Sequence, residues 1–252
     1  MKLQPKSSFK FYATILDSFS DYLNSDRIWE QYWGFSENPP HTQDEFHEKQ
    51  FNSLIDKINR VPFESEAADK GTAFNEVIDC LIENRKSDKM ILTSDVNQGI
   101  IQADYNKRLF IFPITLCKEF ANYFKGALTQ VMTEAILPTC FGDVLLYGYI
   151  DELMPTSVHD IKSTGQYSAF KFKNHWQHLV YPYCLMRNGN NVRLFEYNIT
   201  DFKSTYTESY TFVPERDIPI LTAHCEDFIR FLIDNKDRIT DKKIFGLDDI
   251  QS

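Results

Sequence analysis

Asp151, Asp160 and Lys162 are the residues of this chain whose types and spacing best suit chemistry. They stand in Gly148-Tyr-Ile-Asp151 and Val158-His-Asp160-Ile-Lys162-Ser-Thr164, and Gln177-x-x-x-Tyr181 follows. Two carboxylates nine residues apart, the second followed at plus two by a lysine, suit metal-dependent cleavage of phosphodiesters. That reaction needs a hydroxide near neutral pH and neutralisation of charge on the phosphorane and leaving oxygen. Mg²⁺ or Mn²⁺ held by carboxylates supplies both. Mg²⁺ asks for only one or two protein carboxylates, because it keeps waters and takes phosphate oxygens from the substrate. A lysine fixed beside the attacking water could orient it or lower its pKa.

These groups need elements that bring them together. The segment between the two acids reads as a β-hairpin turning at Met154-Pro-Thr156, which places both acids at one spot. Residues 160 and 162 then share a strand face, so Lys162 points toward the metal that Asp160 holds. Ile161 points into the core, and its carbonyl is a further metal ligand. The triple acid-x-Lys alone is a weak signal. Asp201-Phe-Lys203, Asp234-Asn-Lys236 and Asp241-Lys-Lys243 repeat it, and such pairs are mostly surface features. The upstream Gly-x-Ile-Asp and the downstream helix single out Asp160-Ile-Lys162.

Apolar spacing predicts helices over 11–33, 43–58 and 67–84, a short helix over 117–127, and helices over 168–187 and 219–238. Pro219 would open the last of these. Strands are predicted over 131–137, 143–150, 157–161, 192–199 and 205–213. Residues 109–116 fit a short strand or a buried turn. The pattern is an α/β layer with one mixed central sheet, carrying an N-terminal helical addition packed on the same core. The whole chain, 1–252, reads as one domain: an extension over 1–62, a core over 67–199, and a C-terminal strand and helix over 200–252.

Net charge is −9 over 252 residues, which argues mildly against a non-specific nucleic-acid coat protein. It leaves room for a DNA enzyme with a local basic strip. Residues 160–193 hold five cations against Asp160 alone, a local +4. Lys171, Lys173, His175 and His178 fall there, and Lys171, His175 and His178 share a helical spacing that could face phosphates. Five scattered cysteines without C-x-x-C speak against a disulfide framework, a zinc ribbon or an iron–sulfur cluster. Met1-Lys-Leu-Gln-Pro-Lys6 has no apolar stretch behind it, and no long apolar run occurs. A soluble, cytoplasmic, non-membrane protein of a bacterial or phage-infected cell is expected. No phosphate-binding G-x-x-x-x-G-K-[ST] loop is present, so no nucleotide cofactor is expected.

Gly148-x-x-Asp151, Asp160-Ile-Lys162-Ser163-Thr164 and Gln177-x-x-x-Tyr181 together resemble the PD-(D/E)XK nuclease superfamily, in its RecB-like and phage-exonuclease-like branch. The resemblance implies a restriction-endonuclease-like core of helix, three-stranded mixed sheet, helix and strand. It implies Asp151 and Asp160 as metal ligands, Lys162 as catalytic, and Gln177 with Tyr181 supporting the site or touching DNA. The family also places an acid or His on a helix after a Gly. Gly71-Thr-Ala-Phe-Asn75-Glu76 puts Asn75 at that position and Glu76 one step beyond, so either could fill it. The implied activity is a deoxyribonuclease, more narrowly an exonuclease in phage DNA processing or recombination and repair. A structure- or site-specific endonuclease and a non-catalytic nucleic-acid-binding module on a degenerate core are the alternatives. DNA, double- or single-stranded, is the expected partner, with a homo-oligomer or a recombination protein as further partners.

Overall fold

The computed structural model describes residues 8–246. The reading of Met1–Lys6 lies outside them. The chain runs β1 (Phe9–Tyr12), α1 (Ala13–Leu23), α2 (Ser25–Trp33), α3 (Gln43–Ile58) and α4 (Glu66–Glu83). Next come β2 (Ile91–Asp95), β3 (Ile100–Tyr105), β4 (Arg108–Pro113), α5 (Ile114–Tyr123), β5 (Leu128–Thr139) and β6 (Gly142–Leu153). The last elements are β7 (Ser157–Ser163), α6 (Gln177–Arg187), β8 (Leu194–Thr200), β9 (Thr205–Thr211) and α7 (Pro214–Asp234).

The fold is mixed α/β, with a large mixed sheet and a separate antiparallel sheet of three strands, β2-β3-β4. In the large sheet β6 is the hub. β5 covers one edge of it along eleven antiparallel residue pairs that skip Gln130 and Asp151. On the other edge β1 runs parallel to Val144–Tyr147, and β7 pairs only at Glu152 and Leu153. β7 then runs parallel to β8, and β9 closes the edge antiparallel.

Local chemistry explains the helix starts that matter. Thr42 caps α3 by accepting from Glu45 N–H, while the Glu45 carboxylate accepts from Thr42 N–H, a capping box. Ser65 caps α4 by accepting from Ala68 N–H, and Asn84 ends it in the left-handed region at φ 51°. Two apolar cores flank the sheet. One gathers α1, α6, α7 and strand residues such as Phe11, Leu146 and Val158. The other joins α4, α5 and the small sheet around Phe74, Phe112 and Ile161. Val158 and Ile161 differ in strand parity, so the cores lie on opposite faces of β7.

The structure corrects several expectations. The N-terminal segment is not purely helical, because β1 enters the main sheet. The β2–β4 meander lies where no strand was predicted before residue 109, and residues 109–116 divide into the end of β4 and the start of α5. Residues 168–176 form turns, and α6 starts only at Gln177. The last helix begins at Pro214, which takes the tolerated first-turn place, while Pro219 lies inside it.

Candidate active site

The β6–β7 ladder stops after Glu152↔His159 and Leu153↔Val158. One more step in that register would set Asp151 opposite Asp160. Instead the strands part, and Asp151 Oδ2 accepts from Ile161 N–H at 3.0 Å. The side chain thus satisfies a backbone donor that the fork would otherwise strand. On a strand a residue's N–H and C=O face the same edge, so the Ile161 carbonyl also faces the fork. Its side chain is buried in the second core, as expected.

Asp160 and Lys162 share a face. Lys162 Nζ lies 2.7 Å from Asp160 Oδ2. Gln177, the first residue of α6, ties them together. Its Oε1 accepts from Lys162 Nζ at 2.8 Å, and its Nε2 donates to Asp160 Oδ1. Gln177 is 4% exposed and Asp160 is 3% exposed, so these two are shielded from bulk water, while Lys162 keeps partial access. Gly148 and Tyr181 interlock just behind. A Cβ at Gly148 would stand 2.6 Å from Tyr181 Cε1, so only glycine lets the tyrosine ring lie against β6. Tyr181 is buried beside Gln177, with 3.5 Å between its hydroxyl and Nε2. Of its two expected roles, support of the site and contact with DNA, burial leaves Tyr181 placed for the first and not the second.

α4 supplies the third wall. Gly71 approaches Ser163 at the end of β7, where a Cβ would meet Ser163 Oγ at 3.3 Å. One turn on, Asn75 Nδ2 donates to Asp151 Oδ2 at 3.1 Å. Glu76 does not reach the fork. It is rotated about 100° from Asn75 on the helix. Its carboxylate binds Arg85 at 2.6 Å and Lys89 at 2.9 Å. Burial opposes its ionisation, but the Arg85 and Lys89 hydrogen bonds overcome this and hold its carboxyl at about 2. Glu76 is corrected from candidate ligand to structural ion pair.

Two acids were missed from sequence. Asp79, four residues past Asn75, is 1% exposed, and among the described residues neither carboxylate oxygen has a hydrogen-bond partner within normal geometry. Burial, then the charge of Glu76, raises its carboxyl to about 6. Glu152 is fully buried with both oxygens unpartnered, and burial, then Asp151, pushes its carboxyl well up. The four-residue spacing from Asn75 was the readable signal for Asp79. Glu152 had none beyond its place beside Asp151.

At the fork, burial and then the charge of Asp160 raise the Asp151 carboxyl, against Lys162 and the Ile161 N–H. Burial opposes the charge of Lys162, but Asp160 and Asp151 outweigh it and raise its ammonium. Two acids share one lysine, so a further positive charge is favoured there. Among the described residues no group of three or more His, Cys, Asp or Glu side chains is arranged to hold a metal ion. Asp151, Asp160 and the Ile161 carbonyl could offer oxygen donors in the number Mg²⁺ takes from protein when substrate and water complete its shell.

The proposed phosphate contacts divide. Lys173 is exposed with no side-chain partner, and Lys171 Nζ donates to neutral partners, Thr164 Oγ1 at 2.5 Å and Gln166 O at 2.8 Å. His175 Nδ1 sits 3.3 Å from Asp17 and not on an open helix face. His178 is turned inward. Its ring stacks on Tyr210 at 4.4 Å, and burial lowers it to about 4, so it is neutral and offers phosphate no charge. The helical alignment of Lys171, His175 and His178 fails because 168–176 is not helix.

No protein-family model matches the chain, and no curated protein matches it. A solved structure described as "Crystal structure of SSO0001" is similar at a TM-score of 0.47 and 12% identity, covering 90% of this chain and 79% of that one. A likeness this distant carries no functional argument. No helix among the described residues is long and apolar enough to cross a membrane.

Proposed function

We propose that the chain is a Mg²⁺- or Mn²⁺-dependent deoxyribonuclease on a restriction-endonuclease-like core, acting as an exonuclease in DNA processing. The observation that carries this reading is the fork between β6 and β7, where Asp151 takes Ile161 N–H next to Asp160, with Lys162 paired to Asp160 and held by Gln177. Packing alone gives no reason to gather a buried carboxylate, a half-buried carboxylate and a half-buried lysine together, since such groups are costly to desolvate.

Asp151, Asp160 and the Ile161 carbonyl would hold the ion, with Asn75 beside them. When bound, the ion supplies charge neutralisation at phosphate and a more acidic water. The protein's own part is positioning. Gln177 holds Lys162 by its amide oxygen and Asp160 by its amide nitrogen, so neither can swing independently. The raised ammonium of Lys162 stays protonated near neutral pH. It serves there as a fixed cation beside the attacking water and the developing negative charge. Tyr181, seated on Gly148, stops Gln177 from retreating.

One observation favours a second reading, a non-catalytic nucleic-acid-binding module. Asn75 places a neutral amide where a carboxylate would strengthen the metal, and its N–H₂ already occupies Asp151. Incubation with end-labelled linear duplex separates the two. Metal-dependent release of label that EDTA and Lys162→Ala both abolish supports the nuclease. Binding without cleavage under either metal supports the module. A covalently closed circle that stays intact in the same assay marks the activity as exonucleolytic.

A further inference from the structure

A groove of about 550 Å³ lies between the α1–α2 pair and the 164–176 segment. Its composition is unusual for a surface cleft. Two large rings face solvent there, Tyr32 at 67% exposure and Phe170 at 64%. Phe170 also holds φ at 60°, a left-handed conformation that a bulky side chain rarely takes. Such a residue persists only where its surroundings over-determine it. Here they do. Tyr167 stacks on Tyr206 at 4.3 Å, Phe172 N–H donates to Glu208, and Phe172 is buried against Tyr197. The segment is pinned on both sides of Phe170, and the ring is turned outward.

The charges in the groove are unevenly satisfied. The side chains of Arg27 and Lys173 have no hydrogen-bond or ion-pair partner among the described residues, and the Lys171 ammonium contacts only neutral oxygens. The acid at the floor, Asp17, is occupied. It accepts from Trp176 N–H at 2.6 Å and lies 3.3 Å from His175. Asp21 is the groove's other acid. Exposed π faces beside uncommitted cations are the pairing that holds single-stranded nucleic acid, with bases stacked and phosphates neutralised. Asp17 also ties the groove to the residue before the fork's amide, through Trp176 N–H. Trp176 directly precedes Gln177, which bonds both Asp160 and Lys162.

We propose that this groove holds a single strand of DNA, its bases stacked on Phe170 and Tyr32 and its phosphates on Arg27, Lys171 and Lys173. The direction of the strand toward the fork rests on the nuclease reading; the binding does not. The N-terminal helices thereby become one wall of the substrate path.

The test is fluorescence anisotropy without divalent metal, using a dye-labelled oligothymidylate and an abasic strand with the same phosphates. Both rings are exposed, so Phe170→Ala and Tyr32→Ala should melt with the wild type. Each should bind the oligothymidylate about ten-fold more weakly, yet bind the abasic strand as the wild type does. The double variant Arg27→Ala/Lys173→Ala should weaken both probes and flatten the salt dependence. Unchanged oligothymidylate binding in both ring variants, or equal losses on the two probes, overturns the groove. Cleavage by the wild type is scored separately. Binding that follows this pattern without any cleavage removes the nuclease reading and leaves the groove standing. Cleavage with unaffected ring variants does the reverse.

Discussion

Lys162 sits between two demands. Burial works against its charge, and Asp160 and Asp151 keep it charged. Its removal should therefore separate catalysis from metal binding. Lys162→Ala is expected to lose cleavage by at least about a hundred-fold, the lower range for a positioned catalytic group. It should bind Mn²⁺ no more weakly than the wild type, because a competing cation has gone. Asp151→Asn should lose both. Titration calorimetry beside the cleavage assay measures this, and a Lys162→Ala protein that cannot bind metal would contradict the assignment. Asp79 tests a different balance. Its folded pKa, about 6, is raised above the ordinary 3.8. The folded state thus holds its proton more tightly, and stability falls as pH rises from about 4 to about 6. Above that window the ionised carboxylate costs about 3 kcal/mol at most. Asp79→Asn is expected to raise the melting temperature at pH 7 and to change little at pH 4. Equal effects at both pH values would show that charge is not the cause.

Two glycines show how elements are set against one another. At Gly148 an added Cβ would meet the Tyr181 ring at 2.6 Å, and the ring is buried, so α6 must move. Gly148→Ala should cost about 1–3 kcal/mol, as overpacking does. It should also reduce cleavage by displacing Gln177, with Gly148→Ala/Tyr181→Leu recovering part of the stability. At Gly71 the contact is 3.3 Å to a serine hydroxyl, which can rotate away. The helix gains about 1 kcal/mol when alanine replaces glycine. Gly71→Ala should be neutral or stabilising, and chemical denaturation of the pair checks the contrast. These elements also mark what could be read in advance. Long periodic segments such as α3, α4, β5 and β6 were legible because one apolar face was buried. The groups at the fork were legible because strand parity places Asp160 and Lys162 together. The β2–β4 meander was not, since its exposed Ile91, Leu109 and Ile111 blur the alternation. Residues 168–176 carried helical spacing but are drawn into turns by Asp17, Glu208 and the Tyr167–Tyr206 stack. Glu76 misled because one helical step turns a side chain from the fork to Arg85, which sequence spacing alone does not weigh.

On the scale of the whole molecule, the N-terminal segment is built into the main sheet as well as packed on its core. β1 pairs with the first half of β6, the same edge that β7 takes after the fork. Its side chains are core: Phe11 is fully buried against Phe228 at 4.8 Å between ring centres, and Phe9 packs on Phe245 near the far end of the chain. α1 follows directly and packs Phe19 against Phe228 with the rings tilted. Burying two phenylalanines contributes about 3–6 kcal/mol. That is a large share of the roughly 5–15 kcal/mol that separates a folded domain from its unfolded chain. Removing β1 also bares the backbone donors and acceptors of β6 at Val144–Tyr147, an invitation to edge-to-edge aggregation. A chain beginning at Ala13 is therefore expected to lose its cooperative thermal transition or to associate, by circular dichroism and light scattering. Phe11→Leu, which keeps the strand and most of the burial, should instead melt cooperatively at a lower temperature. If the truncated chain melted like the full one, β1 would be an ornament on a sheet complete without it.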